Sequence, residues 1–195
     1  MGVIIEGQSQ TGTYVGAGAD GDILAISNSG FRPTFRFLAQ DYTPYATATD
    51  ALTLTGKAGT VCRVTRITVG GTATAASIYD LYLYKRSTAN TGGTSTNPTP
   101  VQADSSDPAA NGTLTLYTAA PTLGTGQAFE GTRLYLAAGS GSGNANTTKE
   151  YTWSTRTEKA PVIRAGETLS IGFNGQAVPT GASLYISIEW TEDQM

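Results

Sequence analysis

Gly16, Gly18 and Gly21 in "GAGADG" have the G-x-G-x-x-G spacing of a dinucleotide-binding turn, and Asp41 lies where a ribose-holding acid would be expected. That chemistry needs a helix directly after the glycines, so that its N-terminus can hold the pyrophosphate. The glycines lead instead into "DILAISNSGFRP", which alternates, turns and meets a proline. They therefore read as a hairpin turn. A glycosidase would need two acids converging on one cleft, and the local candidates are Asp104 with Asp107, and Glu189 with Glu192 and Asp193. "DSSDP" reads better as turn chemistry, because Asp side chains bond nearby backbone N–H groups. Glu189 falls on the polar face of the last strand, and Glu192 and Asp193 read as a solvated tail beyond it. Asp20, Asp22 and Asp104 lack the ligand density of a calcium loop. The chain has no histidine, which removes the commonest general base and most zinc sites. Its single cysteine, Cys62, has no partner for a disulfide and reads as a small buried hydrophobe. The expectation is a non-enzymatic protein with no cofactor and no metal.

Aromatic residues are the better candidates. Tyr82 and Tyr84 share one face of a strand whose other face carries Leu81 and Leu83. Such a pair suits a flat sugar-stacking platform, or a strand buried twice, once in the core and once between subunits. The second reading is preferred, since enriched aromatics mark protein interfaces. In "FRPTFRF", Phe31, Phe35 and Phe37 share one side of an extended chain, and Arg32 and Arg36 the other. Tyr42 and Tyr45 come shortly after. The candidate interface is thus Phe31, Arg32, Phe35, Arg36, Phe37, Tyr42, Tyr45, Tyr82 and Tyr84. The rings would either insert into a groove on a neighbouring subunit, or simply cover one end of this subunit's own core.

The elements that must hold these residues are strands. Period-2 alternation dominates from about residue 51, and no helical pattern reaches three turns. "DALTLTG", "YDLYLYK", "TLTLYT", "TRLYLAA", "EYTWSTR", "ETLSIGF" and "SLYISIEW" each place their large apolar residues on one face. In "CRVTRITV", Cys62 and Val64 lie on one face but Ile67 and Val69 on the other, so a β-bulge or a corner between sheets is expected there. These eight strands predict an all-β fold, an antiparallel β-sandwich of jelly-roll type spanning 49–195. Residues 1–48 read as an extended N-terminal arm containing a short hairpin around Asp20-Gly21. Pro33 and Pro44 argue against a regular sheet in the arm. Residues 87–112 read as a long polar surface loop that contributes little to the core, and 138–149 as a linker-like segment.

Charged residues make up 14% of the 195-residue chain, against roughly 25% in an average soluble domain. Ser, Thr, Gly and Ala take their place, giving a polar, uncharged surface that suits packed assemblies. Net charge is −3, with no basic footprint for nucleic acid. No apolar run is long enough to span a membrane, and the N-terminus lacks the pattern of a signal peptide, so synthesis in a cytoplasm is expected.

The opening "TDALTLTG", the strand "VTRITVGGTAT", "KRSTANTGGTS", "DSSDPAA", "YTAAPTLGT" and the closing "GASLYISIEWTED" together resemble a family of small virion proteins of tailed bacteriophages and prophages. The resemblance covers about residues 46–193. It implies a structural role, as a capsid decoration (cement) protein or the base of a head fibre. Such a protein would assemble with itself, as a trimer, and bind the major capsid protein or another virion protein on the capsid surface. The alternative is a glycan- or receptor-binding module of a fibre or tail. The shared motifs carry no known catalytic chemistry.

Overall fold

The structure, a computed structural model, describes residues 14–17, 23–26, 32–139, 148–153 and 159–194. Met1–Arg32 and Pro33–Met195 form separate compact units. In the first, β1 (Tyr14–Ala17) and β2 (Ile23–Ile26) form the antiparallel hairpin expected from the sequence, with Tyr14 opposite Ile26. Its turn lies outside the described residues.

The second unit is all-β. Its strands are β3 (Thr34–Tyr42), β4 (Asp50–Thr55), β5 (Thr60–Ala73), β6 (Ser77–Arg86), β7 (Ser95–Thr96) and β8 (Val101–Gln102), then β9 (Thr113–Tyr117) and β10 (Gly126–Ala138). The chain ends with β11 (Lys149–Thr152), β12 (Val162–Ile163), β13 (Thr168–Gly172) and β14 (Ser183–Gln194). Pairing is nested: β3 with β14, β4 with β13, β5 with β11 and β12, and β6 with β10. Such a pattern is that of a long hairpin rolled into two sheets. One sheet runs β3-β14-β5 with β11 and β12 beside β5, and the other β4-β13-β6-β10. This first-with-last order folds the second unit as an all-β, strongly curled, sandwich-like sheet whose strands, β11 and β12 apart, follow one continuous path. At one corner Ala137 and Ala138 of β10 pair in parallel with Thr72 and Ala73 of β5, so the ladder curls from one sheet into the other.

The alternating residues of the sequence meet between the sheets. Leu52 and Leu54, Tyr79, Leu81 and Leu83, and Leu169 and Ile171 from one sheet face Val64, Ile67 and Val69, and Leu184, Ile186, Ile188 and Trp190 from the other, all buried. Each contributes about 1.5–3 kcal/mol by leaving water. The phase conflict in β5 is resolved by a bulge. Glu189 of β14 pairs with Arg66, but the next residue, Trp190, pairs with Val64, skipping Thr65. The extra residue returns Cys62, Val64, Ile67 and Val69 to the same buried side.

Three expectations need correction. The arm ends earlier than residue 48, because Thr34–Tyr42 is a nine-residue strand that pairs with β14 on one side and β8 on the other. Pro33 sits just before that strand, where its missing N–H costs no ladder bond. Residues 87–112 are exposed along much of their length, yet they are not a free loop. β7 extends the β4 sheet through β9, and β8 extends the β14 sheet through β3. Only residues 97–100 separate β7 from β8, so the segment spans the open side of the sandwich and joins both outer edges. Glu192 and Asp193, lastly, are not a solvated tail. β14 continues through them, Glu192 is 6% exposed, and Asp193 accepts from Arg63 at 2.7 Å.

Candidate functional site

The candidate interface residues are dispersed by the fold. Phe31 lies outside the described residues, and Arg32 is a half-buried member of the first unit. Phe35 is 1% exposed and packs on Trp190 with ring centroids 5.6 Å apart. Phe37 is half-buried against the same core. Tyr42 is buried too, and its hydroxyl donates to the Tyr117 carbonyl at 2.9 Å. Phe35 and Tyr42 are therefore core residues, and their assignment to an interface is corrected. Their strand is held by β14 with its apolar phase facing inward. Arg36 remains exposed, with Nε 2.6 Å from the Glu189 carboxylate. The Tyr45 hydroxyl donates to the Asp50 carbonyl at 3.1 Å and turns the chain into β4.

Tyr82 and Tyr84 alone stay together on an outer face. Their rings stack at 6.0 Å and 24°, half-buried against the outside of the β6–β10 pair. Tyr82 lies opposite Gly131, where an added Cβ would come within 2.9 Å of its ring. The glycine leaves room for the ring to lie down on the neighbouring strand. Tyr84 is anchored by the Arg86 guanidinium, 4.9 Å from its ring centroid.

Arg86 is itself the centre of a buried polar cluster. Its Nε and Nη2 donate to both carboxylate oxygens of Asp50 at 2.8 and 2.7 Å, and its Nη1 to the Gly124 carbonyl at 2.8 Å. Asn90 donates to Asp50 at 2.7 Å and accepts from the Gly124 N–H at 2.9 Å. A second cluster surrounds Glu192, whose carboxylate accepts from the N–H groups of Asn111 and Gly112 and from the Trp190 indole, each at 2.9 Å. Burial first, and then this carboxylate, push the Cys62 thiol up to about 12. Both clusters are saturated by fixed structural partners. Each pins a loop end. "DSSDP" is a turn, with Asp104 accepting from the Ser106 N–H at 2.9 Å and its hydroxyl at 2.7 Å. Among the described residues, no three Cys, Asp or Glu side chains converge as a metal site.

The structure adds surface residues that the sequence reading passed over. Ile78 and Tyr135 face each other in the β6–β10 ladder and are 61% and 42% exposed. Between them and Tyr82 lies Asp80, 3.5 Å from Arg133 and bonded by Gln176. Together these residues form one stripe along the outside of the β6–β10 pair. The available signal was that β6 is apolar in both phases, Ile78, Tyr82 and Tyr84 against Tyr79, Leu81 and Leu83. Phe129 is displaced from the same ladder by a bulge and sits 6.4 Å from Trp153, which stacks on Tyr151.

Comparison with protein-family models, with characterised proteins and with solved structures found no match to the chain.

Proposed function

We propose that this protein is a non-enzymatic structural component of a tailed-phage virion, a decoration protein that assembles with itself and stabilises the capsid. The observation that carries the proposal is the two-sided strand β6. Its inner phase, Tyr79, Leu81 and Leu83, is fully buried, while its outer phase presents Ile78, Tyr82 and Tyr84 beside Tyr135. A mainly apolar stripe, crossed by the Asp80–Arg133 pair, on a low-charge surface suits burial against another protein. Self-association into trimers would cover it. The motif resemblance over 46–193 supplies the virion as the setting and the major capsid protein as the further partner. In that role the mechanism is adhesive. Bridging neighbouring capsomers adds interface that must break before the shell ruptures, and modest contacts suffice when many copies act on one lattice.

The purified protein, added to empty expanded capsids, should bind at saturating stoichiometry and raise their rupture temperature. Electron microscopy of virions should place it on the head. Absence from the head, or binding that leaves the rupture temperature unchanged, would overturn the decoration role.

A further inference from the structure

The outer face of the β3-β14-β5 sheet carries a groove, and we propose that it is a saccharide-binding site. The groove has a volume of about 620 Å³, within the roughly 300–1,000 Å³ typical of small-ligand sites. Cross-strand rows make it concave. Glu189 pairs with Arg36 on one side and Arg66 on the other, forming a tall charged row. The next row, Leu38, Ser187 and Thr68, is low at its centre. Beyond it Tyr185 lies opposite Gly70, where an added Cβ would be 2.6 Å from the tyrosine hydroxyl. Only a glycine permits that ring to lie over β5. A hydrogen bond between its hydroxyl and Thr148 Oγ1 fixes the ring further.

The bulge in β3 completes the site. Ala39 pairs with Ile186 and Tyr42 with Leu184, so Gln40 and Asp41 together face one residue, Tyr185. Both are exposed, and both line the groove. Asp41 holds φ at 52°, a left-handed conformation uncommon outside glycine, and its carboxylate accepts from Ser183 Oγ at 3.2 Å. Strain kept in a strand at the rim of a groove is a pointer to use.

The chemistry fits a sugar better than other ligands. A pyranose ring offers an apolar C–H face to a phenol ring or Leu38, and vicinal hydroxyls to a carboxylate, an amide and serine or threonine hydroxyls. An anion would meet the Asp41 carboxylate, and Arg66, the cation lining the groove, is already paired with Glu189. A peptide adding as a strand needs a free sheet edge, whereas this is a sheet face with its ladder bonds made. The inference does not rest on the decoration role, and it uses the sheet opposite the Ile78–Tyr135 stripe.

The test is a titration of the ¹⁵N-labelled full-length protein with glucose, galactose, N-acetylglucosamine and their short oligomers, with inorganic phosphate as comparison. Saturable shifts should appear for at least one sugar at residues 38–41, 66–72 and 183–187. Tyr185→Ala and Asp41→Asn should each weaken binding about tenfold or more, while the dispersed ¹⁵N spectrum of each variant shows it folded. Ser187→Arg, which raises the floor, should abolish it, and Tyr135→Ala should leave it intact. No saturable shift with any sugar, shifts with phosphate alone, or binding indifferent to the groove variants would overturn the proposal. Capsid binding by Tyr185→Ala separates the two readings, since it should persist whether or not the groove binds sugar.

Discussion

Tyr42 and Tyr79 are both sealed in the core, where burial pushes both phenols well above their usual range. Their hydroxyls fare differently. Tyr42 donates to the Tyr117 carbonyl, whereas Tyr79, stacked on Phe173 at 4.7 Å, has no partner for its oxygen among the described residues. An unmade buried hydrogen bond costs more than a made one contributes. Tyr79→Phe should therefore be neutral or stabilise by up to about 1 kcal/mol, while Tyr42→Phe should cost about 1–3 kcal/mol by orphaning a buried carbonyl. Urea denaturation of the two variants measures this directly. A costlier Tyr79→Phe would show that its hydroxyl has found a partner. Neither outcome could be read from the sequence, since both tyrosines look alike in their strands and the acceptor for Tyr42 lies 75 residues away.

At the scale of elements, alternation located all eight strands expected after residue 50, from β4 to β14. It also exposed the fault in β5 that the bulge repairs. The reading failed where local signals compete with tertiary ones. Pro33 suggested a break, yet the next nine residues alternate well enough for β14 to capture them as a strand. The segment 87–112 is polar because most of it faces water, and polarity conceals how it is held. Asn90 bonds Asp50 and Gly124, Thr91 and Thr122 exchange backbone bonds, and Ser95 and Thr96 pair with β9. Replacing 90–97 with a Gly/Ser linker should remove these contacts at a cost of about 2 kcal/mol or more, lowering the melting temperature by about 4–8 °C. An unchanged melting temperature would mean that the strap contributes nothing and that Asp50–Arg86 is self-sufficient.

For the whole molecule, the two sheets present different outer surfaces. One shows the Ile78–Tyr135 stripe, and the other the polar groove beside Tyr185. If the stripe is buried between copies, the purified protein should sediment as a stable oligomer, with three subunits favoured. Ile78→Asp combined with Tyr135→Ser removes two apolar side chains, each contributing about 1.5–3 kcal/mol when buried. The double variant should shift to monomers with an unchanged far-ultraviolet spectrum. A wild-type protein that stays monomeric at high concentration, or a variant that stays associated, would count against this interface.

The sequence by itself determined that this is a β protein, where eight of its strands lie, and, outside the two-phase strand β5, which side of them carries the larger apolar residues. Those properties arise from the two-residue period of a strand, which operates between near neighbours. Tertiary structure decided what depends on distant partners. It placed Phe35 and Tyr42 in the core, because β3 finds β14 some 150 residues later. It turned Glu192 from an apparent tail acid into a buried acceptor for Asn111, Gly112 and Trp190. It also decided that Tyr185, unremarkable in "SLYISIEW", lies over Gly70. Register between strands sets that juxtaposition, and register is fixed only when the whole hydrophobic pattern closes at once.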